Sequence, residues 1–324
     1  MAPGPIKIAR IARRCVVPLY TPLTLDDLSK ILKPYDCEPI SHAHLSAGVE
    51  NTNYRVRTRG RLQDGVLTVL ENRDLSSAEA YAGLLARLHA SGIPMPRIWR
   101  RRDGGHVSVH RGKPVIVSDH ISGHCHDVLP SEFLPVAGRA LASVHAHSST
   151  DFLPDPVVRL GESDLQHIDS FSDSTFSSWL LEWHDKVCYV TEDDSLPRGL
   201  THGDLFADNM IVTPRRDVVI LDWENGANDY HVLDLGMAVL GLTGVGAIFD
   251  ANRARLLLEG YQSKRVVRLS PDRLLESIIY AAVFTAYHRY LKHEIADRAS
   301  GKQGYYREIP TFVDSLIARW SAVF

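Results

Sequence analysis

Asp204, Asn209 and Asp222 of this 324-residue chain have the order and spacing needed to move a phosphoryl group. The first two lie five residues apart in His202-Gly203-Asp204-Leu205-Phe206-Ala207-Asp208-Asn209. Asp222 follows thirteen residues later, in Leu221-Asp222-Trp223-Glu224. A loop carboxylate can take the proton of an attacking hydroxyl. An amide oxygen and a second carboxylate are the hard ligands that hold a divalent cation on the phosphates of ATP. Between them, Met210-Ile211-Val212 and Val218-Val219-Ile220-Leu221 flank a Pro-Arg-Arg-Asp turn, and two short β-branched runs so joined read as a hairpin.

Such a site needs elements to cover the phosphates and others to carry the loop. After Tyr20, Thr-Pro-Leu-Thr-Leu-Asp-Asp-Leu opens a capped helix with acids in its first turn. Gly48, Asn51 and Asn53 precede the alternating strand Tyr54-Arg55-Val56-Arg57, a turn runs from Gly60 to Gly65, and Val66 to Leu70 forms the next strand. Strand, small-residue turn, strand is how backbone amides are brought against phosphate. Ser76-Ser77-Ala78-Glu79 fits a capping box, with Tyr81, Leu84, Leu85 and Leu88 at helical spacing before Gly92. Lys113 to Ser118 reads as a buried strand, and 119–123 as a crossover. Farther on, helices are expected over Phe133–Val144, Trp179–Val190 and Asp272–His293. Trp179, Leu180, Trp183 and Val187 suit a packed core or, alternatively, an aromatic pocket for a cation.

The H-G-D-x-x-x-x-N and L-D-W-E segments resemble those of the aminoglycoside phosphotransferase and choline kinase superfamily. That resemblance implies an α+β, bilobal protein-kinase-like fold: a small amino-terminal lobe with an antiparallel sheet and a larger, mostly helical carboxy-terminal lobe. It divides the chain into a basic tail (1–19), a nucleotide-binding lobe (20–118), a hinge (119–123) and a catalytic, acceptor-binding lobe (124–324). It implies ATP and Mg²⁺ as cofactors. Asp204 is then the catalytic base, His202 the holder of its loop, Asn209 and Asp222 the metal ligands, and Gly48, Asn51 and Asn53 the phosphate-covering turn. Asp234, in Asp234-Leu235-Gly236, would brace the catalytic loop.

Further segments look like the bacterial homoserine kinases of this fold: Tyr20-Thr-Pro-Leu-Thr, Gly48-Val-Glu-Asn-Thr-Asn-Tyr54, Gly92-Ile-Pro-Met-Pro96, Gly112-Lys-Pro114 and Gly260-Tyr261-Gln262. The resemblance runs from about Tyr20 to His293. Thr68 stands where many relatives carry a phosphate-binding Lys or Arg, as it does in that branch, and leaves Arg55, Arg57 and Arg73 as substitutes. Glu79 is the helix acid that would pair with such a cation. Two positions depart from the branch. It reads I-D-F-Y-F-A, where Glu224 here replaces the aromatic and would either support the magnesium or, with Asp229, face a substrate ammonium. It also reads H-A-D where this chain has His202-Gly203-Asp204. The implied activity is ATP-dependent phosphorylation of L-homoserine to O-phospho-L-homoserine. The alternatives are another amino alcohol or an aminoglycoside as acceptor, or a nucleotide-binding pseudokinase without transfer.

Composition fits a globular enzyme, with 44% hydrophobic and 23% charged residues. A net charge of −3 gives no electrostatic argument for nucleic acid or a membrane surface as partner, and no run is long enough to span a bilayer. The expected partner is a small hydroxyl compound, in the cytoplasm. The scattered Cys15, Cys37, Cys125 and Cys188 read as reduced thiols. His124-Cys125-His126-Asp127 and His145-Ala146-His147 are the densest possible metal clusters, with chance clustering among 16 histidines the default.

Overall fold

A computed structural model of the chain describes residues 21–45, 51–147, 151–265, 270–298 and 301–324. It divides into two compact units: Val17–Gly123 together with Val219–Glu224, and His124–Val218 together with Asn225–Phe324. Gly48 and the basic segment 1–19 lie outside the described residues.

The amino-terminal unit opens with helix α1 (Leu25–Leu32). Its start is set by a reciprocal cap: Asp27 N–H donates to Thr24 Oγ1 at 3.2 Å, and Thr24 N–H donates to the Asp27 carboxylate at 3.0 Å. Strands β1 (Cys37–Leu45), β2 (Thr52–Gly60) and β3 (Asp64–Val69) follow, then helix α2 (Leu75–Ala90), β4 (Val107–His110) and β5 (Lys113–Asp119). The five strands form one antiparallel sheet in the order β1-β2-β3-β5-β4. Val56, Leu67, Val69, Val115 and Val117 share the sheet face that buries against Leu28, Ile31, Leu32 and Tyr35.

Two local features depart from the sequence reading. Strand β1 was not foreseen, because only Cys37 of its nine residues is buried and Pro39 sits at a bulge. An exposed edge strand has no apolar alternation to show. The capping box at Ser76–Glu79 does not form. Helix α2 starts at Leu75, and the carboxylate of Asp74 caps it by accepting Ser77 N–H at 2.8 Å. An acid at the cap satisfies an unpaired donor and complements the helix dipole, so the earlier residue wins.

The carboxy-terminal unit carries α3 (Leu134–His145), α4 (Glu162–Ile168), α5 (Ser174–Val187), β6 (Arg198–Thr201), β7 (Met210–Val212), the start of β8 (Val218–Ile220), β9 (Ala227–Tyr230), α6 (His231–Thr243), α7 (Ala251–Lys264), α8 (Pro271–Tyr290) and α9 (Glu308–Arg319). β7 and β8 pair as the anticipated hairpin, closed where Thr213 N–H donates to the Asp217 carbonyl at 2.9 Å. Every residue of α6 except Gly241 is buried, which marks it as the central element. Phe176 of α5 stacks with Phe171 and Tyr290, and Trp179 stacks on Phe176, so this aromatic stripe is core. No helix among the described residues is long and apolar enough to cross a membrane.

Helices α3 and α7 cross where their backbones touch. A Cβ on Gly138 would fall 2.1 Å from the Leu257 carbonyl oxygen, and one on Gly260 would fall 2.2 Å from that of Pro135. Nothing flexible can yield at either point, because the obstacle is backbone. Gly138→Ala is therefore expected to lower stability by about 1–3 kcal/mol. Urea unfolding with an unchanged midpoint would show that the helices separate without cost.

Candidate active site

The catalytic loop begins where β6 ends. β6 pairs antiparallel with β9, from Arg198↔Tyr230 to Thr201↔Ala227. The next two backbone N–H groups, of His202 and Gly203, each donate at 2.7 Å to the two oxygens of the Asp234 carboxylate. Asp234 thus braces the loop, as its place in the sequence implied. Gly203 takes φ +78, and a Cβ there would meet Asn225 Cβ and its carbonyl oxygen at 3.0 Å, so the turn admits only glycine. His202 is completely buried, and its Nδ1 accepts Asp204 N–H at 3.3 Å. That is a positioning role, with the imidazole holding the turn.

The far end of the loop is fixed on the same helix. Gly241 lies seven residues after Asp234 and so shares its face of α6. A Cβ there would come within 2.6 Å of the Leu205 carbonyl oxygen. Between these two anchors, a 3₁₀ turn over Ala207–Asn209 brings Asn209 back onto Asp204. Asn209 Nδ2 donates to the Asp204 carbonyl at 2.8 Å and to its carboxylate Oδ2 at 3.1 Å. With the amide nitrogen spent on Asp204, the Asn209 oxygen remains as the acceptor of that side chain.

Behind the loop lies a buried polar chain. His145 Nε2 meets the Asp234 carboxylate at 3.0 Å, and its Nδ1 meets the Tyr261 hydroxyl at 2.7 Å. A neutral imidazole with its proton on Nε2 satisfies both. Burial drives His145 toward that neutral form, against the pull of Asp234. Burial also works against the charge of Asp234, but the His145 hydrogen bond and the His202 N–H outweigh it and hold the carboxyl below its ordinary range. His231 stacks on His145 with ring centroids 4.3 Å apart, and burial, reinforced by His145, pushes its pKa down to about 2.

The amino-terminal unit holds a second constellation. Asp222 adopts a left-handed φ of 54, which costs an L-residue on the order of 1–2 kcal/mol. Two residues on, Glu224 accepts a hydrogen bond from Asn51 Nδ2 at 3.1 Å and pairs with Arg73 at 3.4 Å. The Arg73 guanidinium lies 4.4 Å above the Tyr81 ring. Burial, then the charges of Glu224 and Asp222, raise the Tyr81 hydroxyl well above its ordinary pKa.

These contacts sort the remaining candidates. Arg55 is tied to Asp64 at 2.6 and 3.0 Å and Arg57 is exposed, so Arg73 is the cation held beside the acids. Thr68 donates its hydroxyl to Asn53 Oδ1 at 2.7 Å across the β2–β3 pair. Glu79 is exposed on α2, and the acid that engages a cation is Glu224 instead. Asp229 is buried in a bidentate pair with Arg159, at 2.9 and 2.6 Å, so its charge is already neutralised inside the fold. Glu71 was not singled out from the sequence, yet it gathers Lys113, Thr52 and Thr21 around one carboxylate.

A family model for phosphotransferase enzymes matches residues 43–269. The chain belongs to that family. A homoserine kinase from Acidiphilium cryptum is 26% identical over 268 residues, covering 76% of this chain and 79% of its own length. Among solved structures, a spectinomycin phosphotransferase in complex with ADP and spectinomycin superposes with a TM-score of 0.66 at 15% identity, over 91% of this chain and 95% of the other. A choline kinase from Streptococcus pneumoniae gives 0.62 at 16% identity, over 90% and 97%. The protein-kinase-like fold follows, and this phosphotransferase is a small-molecule kinase.

Among the described residues no cluster of three or more His, Cys, Asp or Glu side chains could hold a metal ion. A divalent cation that rides on phosphates needs only one or two protein oxygens, with phosphate and water completing its shell. The amide oxygen of Asn209 is a donor atom of the kind that requirement calls for.

The buried His231 makes this phosphotransferase acid-sensitive. Its folded pKa lies below the unfolded value near 6.5, so the unfolded chain binds the extra proton between the two. Its stabilising contribution is complete above about pH 6.5 and is lost progressively as pH falls toward 2. In His231→Phe, melting temperature is expected to fall less between pH 7 and pH 5 than in the wild type. Parallel profiles would remove His231 from the account.

Proposed function

We propose that this phosphotransferase moves the γ-phosphoryl group of ATP to the hydroxyl of L-homoserine, giving O-phospho-L-homoserine and ADP. The observation that carries the transfer is the Asp204–Asn209 pair on a loop clamped at both ends to α6. Homoserine as acceptor rests on the relatives of that name, which align with three-quarters of the chain.

In this reading, the acceptor hydroxyl donates a hydrogen bond to the Asp204 carboxylate. The oxygen attacks the γ-phosphorus, the bond to the ADP oxygen breaks, and the proton passes to Asp204 late, because an alcohol is too weak an acid to ionise beforehand. The Asn209 amide keeps the carboxylate aimed, and the buried His202 keeps the turn that presents it. Asn209 through its oxygen and Asp222 through its carboxylate would hold Mg²⁺, which neutralises phosphate charge when bound. Asn51, Asn53 and Gly48 would cover the phosphates. Arg73 would supply the cation that Thr68 cannot, with Glu224 and the Tyr81 ring fixing its orientation. Little covalent chemistry falls to the protein, so positioning and electrostatics carry the rate.

Choline, ethanolamine or an aminoglycoside as acceptor drew its sequence support from Glu224 as an ammonium ligand. That carboxylate is engaged by Arg73 and Asn51, and Asp229 by Arg159, so neither acid supports an ammonium-bearing acceptor of that kind.

ADP release from Mg-ATP with L-homoserine, choline, ethanolamine and an aminoglycoside as separate acceptors tests the reading. Turnover with homoserine above the others is expected, and preference for another acceptor would displace it. Asp204→Ala and Asp222→Ala should each lower turnover by at least ~100-fold with melting curves unchanged. Near-wild-type rates in either variant would defeat the assignment of that residue. Arg73→Ala and Glu224→Tyr should both raise KM for ATP, by about 10-fold, and leave the ranking of acceptors as it was. A re-ranked acceptor profile in Glu224→Tyr would return that residue to the acceptor site.

A further inference from the structure

Among the described residues of the carboxy-terminal unit, Arg289 is a largely buried guanidinium with no hydrogen bond. Arg289 sits in the last turn of α8, with 18% of its side chain exposed. Its nearest acid, Glu308, stands 3.7 Å away, beyond hydrogen-bond length, and no hydrogen bond joins it to the described residues. Below it the ring of Tyr305 lies 4.0 Å from the guanidinium carbon, a stacking contact that fixes the plane of the fork without engaging its N–H groups. The other arginines of this unit that reach its interior are occupied. Arg159 holds Asp229, Arg253 holds the carbonyls of Leu129 and Leu242, Arg265 holds the carbonyl of His145, and Arg273 holds Asp193 and Glu276. A desolvated guanidinium left without hydrogen bonds is costly unless something accepts from it.

Its place in the fold ties it to the catalytic loop. Thr285, one turn earlier on the same face of α8, contacts the sulfur of Met237 on α6 at 3.7 Å. Met237 lies one turn before Gly241, where α6 receives Leu205 and Phe206. The charges of Asp208 and Asp204 reach Arg289 through this packing, along with those of Tyr305 and Glu308. A planar fork with open donors, beside the carboxylate that orients the acceptor hydroxyl, suits a ligand bearing an anionic carboxylate at its other end.

We propose that Arg289 receives the carboxylate of the acceptor, so that the site selects short hydroxy acids over plain amino alcohols. This rests on the reading of Asp204 as the base of a hydroxyl kinase. It adds that specificity is set from the end of α8, which lies outside the motif residues.

The test compares L-homoserine with its decarboxylated analogue, 3-aminopropan-1-ol, in the wild type, Arg289→Gln and Arg289→Lys. The wild type should favour homoserine. In Arg289→Gln the ratio of the two kcat/KM values should fall by ~30-fold or more, chiefly through KM for homoserine. Arg289→Lys, which keeps the charge but loses the fork, should fall between, and it serves if the glutamine variant does not fold. Equal losses on both acceptors would mean a structural role and overturn the proposal, as would a ratio that does not move. A wild type that phosphorylates only the analogue would overturn the carboxylate site while the kinase reading stands. No ADP release with either compound, or with any other alcohol in the panel, would overturn both.

Discussion

The carboxylate of Asp234 is buried in the first turn of a helix, where two successive backbone N–H groups of the catalytic loop are aimed at its two oxygens. Burying an unpaired carboxylate would be prohibitive, so the ion and the loop stabilise each other or neither forms. The arrangement reaches inward through His145 to Tyr261, and from there to the close crossing of α3 and α7 at Gly138 and Gly260. A backbone contact between two helices thereby bears on the aim of Asp204 without touching it. Since Gly241 seats the other end of the loop on the same face of α6, a single helix sets both ends of the segment that carries Asp204.

In the amino-terminal unit the same economy appears with the charges rearranged. A phosphate-binding cation commonly comes from the strand that here carries Thr68, and its acid partner from the following helix. In this chain the strand offers only a hydroxyl, which is spent on Asn53. The arginine held beside the acids comes from just beyond the strand, as Arg73, and the acid it pairs with stands two residues past Asp222, as Glu224. The helix contributes an aromatic face, Tyr81, in place of an acid. In the proposed reading, Glu224 fixes the arginine that stands in for the missing lysine.

Short-range patterns were legible in the sequence. The loop, the hairpin after it, the Thr24 cap, strands β2, β3 and β5, and helices α3 and α5 all follow from spacings within a dozen residues. Strand β1 was hidden because an exposed edge has no alternating burial to imprint. Partner choice was hidden for a different reason. Glu79 and Asp229 were selected for their position near a motif. What engages an acid is whichever cation the tertiary fold brings to it, and for Asp229 that is Arg159, seventy residues away. Arg289 left no signal at all, since nothing near it in sequence differs from an ordinary helix end.

The six residues Val219–Glu224 belong to the amino-terminal unit but come late in the chain. During synthesis, Asn51, Arg73 and Tyr81 are made long before the acid that organises them. Residues 124–218 must first leave the ribosome, which at roughly 5–20 residues per second takes on the order of 5–20 s. Over that interval the nascent amino-terminal unit carries an uncompensated arginine and an unfilled slot where Trp223 will sit. A chain ending anywhere in the intervening region would therefore lack Trp223 and Glu224, and with them part of its amino-terminal unit.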